Sequence, residues 1–116
     1  HGRVAYHELQ GVTVDTSERE SIVRDLAGKP TMILRNHGLL AWGESIAEAY
    51  LRLWTLQRAC DVQVAAGQAG GTVTRLSQPV IDRMLAESGP GEKRTCEDVF
   101  AALVRRIDAK DPSYKD

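Results

Sequence analysis

Few side chains in this chain can do chemistry near neutral pH, and the histidines lead them. There are three: His1, His7 and His37. A neutral imidazole can ligate a metal, carry a proton or bond to backbone carbonyls. Three imidazoles are enough for a catalytic zinc ion, but this spacing matches no compact finger and no cysteine pair accompanies it. His37 is the most pointed of the three. It stands in Asn36-His37-Gly38, between two apolar runs in "ILRNHGLLAWG". On residue type it reads in two ways, as a metal ligand at the rim of a cleft or as a turn histidine bonded to carbonyls. His7 has the weaker claim to a metal. The remaining candidates have structural readings. "SERE" is a helix start. "GQAGG" lacks the GK[ST] ending and follows a helix, whereas a phosphate-cradling loop precedes one. Arg105-Arg106 reads as a solvated helix end. Trp42 and Trp54 are expected to fill the core or an interface.

The elements that must position His37 can be read from the flanking pattern. Thr31–Arg35, "TMILR", and Leu39–Trp42, "LLAW", predict two strands. The Asn36-His37-Gly38 insert predicts a tight reversal, because asparagine and glycine tolerate left-handed backbone. The pair forms a hairpin with the histidine at its tip or shoulder, and Gly38 is expected to let the chain turn without a side-chain clash. Upstream, Gly11–Asp15 predicts a short extended entry, and His1 and His7 flank another. Ser17 with Glu20 makes a capping box for a helix carrying Ile22, Val23 and Leu26, ended by Gly28 and Pro30. Downstream the period changes. Ile46, Ala49, Tyr50, Leu53, Leu56, Cys60 and Val64 predict a long amphipathic helix from Glu44 to about Ala66, with Ser45 as cap. Gly67, Gly70 and Gly71 end it. Ser77 and Pro79 open a helix near Gln78–Glu87. Residues 88–94 read as a flexible break, and Thr95 as the cap of a last helix from Cys96 to about Ala109.

Composition sets the outer limits. At 116 residues the chain is one domain at most. Its 15 basic and 16 acidic residues are well mixed, and no basic stripe points to a nucleic-acid partner. No apolar run approaches the roughly 20 residues of a bilayer span. Cys60 and Cys96 stand far apart in helical segments and suggest no disulfide framework, so the expected setting is cytoplasmic. The first residue is His1 with no start-like lead, so the sequence reads as a piece of a longer polypeptide or as a processed or trimmed chain.

With those residues in place, "MILRNHGLLAWGESIAEAYLRLWTLQRACDVQVAA" resembles the C-terminal half of the class II aldolase/adducin head-domain family. The matching features are Asn36-His37-Gly38, Gly43, Glu48-Ala49 and Arg58-Ala59-Cys60. "VAYHELQGVTVD" and "ALVRRIDAKDPSY" resemble its bacterial, generically named branch. The resemblance implies a three-layer αβα fold with a largely antiparallel central sheet. It implies a divalent metal, usually zinc, held by three histidines: an earlier H-x-H pair and the histidine of the N-H-G turn, here His37. Such a metal acts as a Lewis acid on carbonyl and hydroxyl oxygens. An earlier glutamate is implied as acid/base, and Tyr6 stands where some members carry a proton-donating tyrosine from a neighbouring subunit. The implied substrates are small phosphorylated or oxidised sugars, cleaved by a retro-aldol step or epimerised, in a homo-oligomer, commonly a tetramer. The H-x-H pair and the glutamate have no counterpart here, so these residues alone are expected to be inactive. The alternative within the same resemblance is an adducin-like binding module without the metal.

Overall fold

The structure is a computed structural model and describes residues 2–10, 17–87 and 91–115. The predicted strand at Gly11–Asp15 lies outside these residues. The element order is β1 (Val4–His7), α1 (Ser17–Leu26), β2 (Thr31–Leu34), β3 (Gly38–Ala41), α2 (Ile46–Gln68), α3 (Gln78–Glu87) and α4 (Glu92–Lys110), followed by a single 3-10 turn at Ser113–Lys115.

β2 lies at the centre of the three-stranded sheet of the described residues, in the order β1-β2-β3. β1 and β2 run parallel, with Ala5 opposite Met32 and His7 opposite Leu34. β2 and β3 run antiparallel, with Met32 opposite Leu40 and Leu34 opposite Gly38. The α/β class expected from the sequence therefore stands, but the sheet is mixed. The parallel pair arises because α1 carries the chain back to the starting end of the sheet, as parallel neighbours require.

Helices α1 and α2 cover the sheet. α1 packs on β1, α2 packs on β3 and β2, and α4 lies along α2. Among the described residues the buried apolar set is small: Ala5, Met32, Ala47, Leu56 and Cys96. Met32 is fully enclosed at the centre of the middle strand. The tryptophans do not join this set. Trp42 and Trp54 are both exposed, and the Trp42 indole donates to the Lys29 carbonyl at 2.8 Å. An amphipathic ring can leave its polar edge on a loop carbonyl while its apolar body stays accessible.

Several helix limits fall where the sequence put them. α3 spans Gln78–Glu87 with Pro79 in its first turn. α1 stops at Leu26, and Gly28 follows with φ +73°. α2 begins at Ile46 rather than Glu44, with Ser45 as its cap. The last helix departs from expectation. It begins at Glu92, after Gly91 in the left-handed region, so Thr95 lies inside it and is not its cap. Of the predicted break at 88–94, residues 92–94 are helical, and 88–90 lie outside the described residues.

Candidate functional site around the N-H-G turn

The turn joins β2 to β3 over Arg35, Asn36 and His37. The His37 amide donates to the Leu34 carbonyl at 3.0 Å, closing the reversal. Asn36 has φ +58°, so it takes the left-handed position of the turn. Gly38 has no positive φ, and a Cβ there would meet nothing within 4 Å. The expectation that Gly38 spares the turn a side-chain clash is therefore corrected: of the two residues that tolerate left-handed backbone, Asn36 adopts it, and Gly38 opens β3. His37 is exposed at the tip.

Tyr6 belongs to the same end of the sheet. It is the third residue of β1, opposite Ile33, and it is 56% exposed. Arg35 spans the two strands. Its guanidinium carbon stands 5.5 Å from the centroid of the Tyr6 ring, and its Nη1 lies 3.2 Å from Glu8 Oε1. The Arg35 amide donates to the His7 carbonyl at 2.9 Å, continuing the parallel ladder into the turn. Tyr6, Glu8, Arg35 and His37 thus share one solvent-facing end of the sheet. Among the described residues, no group of three or more histidine, cysteine, aspartate or glutamate side chains could hold a metal ion. These residues offer an exposed imidazole and no complete donor set.

His7 lies on the other side of β1 from Tyr6 and is 2% exposed. Its Nδ1 is 2.7 Å from Asp25 Oδ2, and its Nε2 is 3.7 Å from Glu18 Oε1. Among the described residues, that Nε2 is buried without a hydrogen-bond partner. Glu18 is itself buried. The His7 hydrogen bond, then that from Arg24, holds the Asp25 carboxyl below its ordinary range. This cluster was not singled out from the sequence, although a signal existed. Glu18 and Asp25 are seven residues apart, so both lie on one face of α1, and that face meets a strand histidine.

A second polar assembly fixes the start of α2. Ser45 Oγ accepts from the Glu48 amide at 3.3 Å, and Glu48 Oε2 accepts from the Glu44 amide at 2.9 Å. Arg52 donates to the Trp42 carbonyl at 2.9 Å and reaches Glu92 at 3.2 Å. Arg3 reaches the same carboxylate at 2.8 Å. Beside these groups lies a cavity of about 470 Å³, lined by Val4, Thr31, Leu56 and Cys96 among others. Neither Tyr6 nor His37 lines it. Burial pushes the Cys96 thiol up, away from a reactive thiolate.

Known proteins resemble this chain in sequence and in its overall α/β architecture. The model of the Class II Aldolase and Adducin N-terminal domain matches residues 1–64, and the chain belongs to that family. A protein of Caulobacter vibrioides named for the class 2 aldolases is 34% identical over 115 residues, covering 98% of this chain and 45% of that relative. Alpha-adducin of Rattus norvegicus is 44% identical over 72 residues, covering 60% of this chain and 10% of the adducin. The crystal structure of an aldolase II superfamily protein from Pseudomonas syringae superposes with a TM-score of 0.81 at 40% identity, over 99% of this chain and 46% of that one. The chain thus spans under half the length of the bacterial relatives it matches.

Proposed function

We propose that this chain is part of a metal-dependent lyase or epimerase that acts on small phosphorylated sugars or sugar acids by retro-aldol chemistry. The observation that carries this reading is His37, an exposed imidazole at the tip of a hairpin in a chain of the class II aldolase and adducin family. His37 would be one donor to a divalent metal, zinc being the first expectation. The other donors would come from residues beyond those described. A turn closed by its own hydrogen bond and pinned by the β1 ladder holds the ring outward on a stiff support, as a ligand requires. Tyr6 is proposed as the proton donor. Its exposed side chain stands at the same end of the sheet, with the Arg35 guanidinium 5.5 Å from the ring centroid. The reading extends to a three-layer αβα domain in the whole protein, working as a homo-oligomer in the cytoplasm.

The family's adducins support a second reading, a binding module that keeps the fold without the metal. Metal analysis of the natural protein carrying this chain separates the two. His37→Ala is expected to lower bound metal and abolish turnover while the circular dichroism spectrum stays unchanged. Unchanged metal stoichiometry in that variant would sink the enzyme reading as stated.

A further inference from the structure

Every residue from position 61 to position 80 is exposed. The stretch takes in the last two turns of α2, the link that follows and the start of α3. Within it only Asp61 and Arg75 carry charge. A helix end that stands free in water is held by good helix formers and by ion pairs along its surface. Residues 62–68 offer little of either. They include no charged residue, a glycine at position 67, and two β-branched side chains, Val62 and Val64, that are 69% and 59% exposed. Val73, Leu76 and Val80 carry the same apolar character through the link and into α3. A helix end of this kind is kept folded by packing rather than by propensity.

What packs on it comes from beyond the described residues of one copy. The undescribed residues fall in runs of at most six, too short to cover this length. The chain exposes 9128 Å², against about 6300 Å² for a compact monomer of 12.8 kDa. The difference is several times the ~800 Å² that each partner loses in a standard interface. It leaves room for a second copy besides the further length that the bacterial relatives carry.

The make-up of the stretch suits contact with its own twin. In a two-fold contact a surface meets itself, so a charged or bulky side chain near the axis meets its like. At the end of α2 stand Ala65, Ala66, Gly67, Ala69, Gly70 and Gly71, all small and uncharged. The two charges bracket them with opposite signs: Asp61, paired with Arg58 at 2.5 Å, on one side and Arg75 on the other. Pairing end for end then brings unlike charges toward each other. We propose that residues 61–80 form a two-fold interface between copies of this chain, with the end of α2 packed on its twin. Such a contact rests on the homo-oligomer proposed above and is independent of metal at His37.

Sedimentation and photo-cross-linking of the natural protein carrying this chain test the contact. The double variant Val62→Lys, Val64→Lys sets like charges against each other across the axis. It should halve the sedimenting mass while circular dichroism still shows a folded subunit. A variant of natural mass overturns the interface and leaves the homo-oligomer standing, whereas a natural protein that sediments as a monomer overturns both. If the variant does not fold, the cross-link decides. A benzophenone amino acid in place of Val64 should yield, on illumination, a species of twice the subunit mass, with the new bond mapped by mass spectrometry to residues 61–80 of a second copy. No doubled species, or a bond mapped to another segment, overturns the interface.

Discussion

Asn36 decides where His37 points. A left-handed backbone costs most residues about 1–2 kcal/mol, while asparagine and glycine visit it routinely. The side chain at 36 is exposed and its φ is +58°. Asn36→Gly should therefore leave stability nearly unchanged, whereas Asn36→Ala should cost about 1 kcal/mol. Thermal unfolding of the two variants checks this, and equal losses would remove backbone conformation as the cause. The sequence carried half of this argument. It marked the N-H-G triplet as a reversal, because both Asn36 and Gly38 tolerate the needed geometry. It could not say which of them adopts it, since the hydrogen bond that settles the turn runs from His37 to Leu34.

The elements were legible where local rules govern and opaque where pairing is remote. Ser77 and Pro79 mark the start of α3, and Ser45 marks the start of α2, because caps act within four residues. Val4–His7 is too short to show a period, and its parallel partner arrives only after a helix. The burial of His7 followed from that pairing, so its partners on α1 escaped notice. The same logic misplaced the start of α4, where Gly91 turns the chain in before Thr95 is reached. At α2 the cap is unusually demanding. A Cβ on Gly43 would stand 2.6 Å from Glu48 Cβ and 2.8 Å from the Ala49 amide nitrogen. Gly43→Ala should then push the helix start off β3 and cost about 1–3 kcal/mol, as overpacking does. Ser45→Ala, which loses one capping bond, should cost about 1 kcal/mol. Denaturant midpoints of the two variants check the order, and a Gly43→Ala protein as stable as Ser45→Ala would show that the close approach relaxes freely.

Across the whole molecule, charge ties together what a small core leaves apart. The radius of gyration is 17.1 Å, against about 13 Å for a compact domain of this length. Val62, Val64, Val73, Leu76 and Val80 remain exposed. Under these conditions Glu92 is a junction. It opens α4, receives Arg3 from the approach to β1, and receives Arg52 from the second turn of α2. The Arg3 hydrogen bond first, and the Arg52 hydrogen bond after it, hold the Glu92 carboxyl below its ordinary range against the opposing effect of burial. A carboxyl lowered on folding stabilises the fold above its unfolded pKa, and that stabilisation is lost as pH falls through the folded value. Glu92→Gln keeps the shape and removes the charge. At neutral pH it should cost roughly 1 kcal/mol, the upper range for a partly exposed ion pair. As pH drops below about 4, the natural protein loses the same charge and the gap should close. Urea unfolding at neutral and acidic pH checks this. A gap that persists undiminished in acid would mean that Glu92 holds the three segments by packing and hydrogen bonds, with its charge contributing nothing.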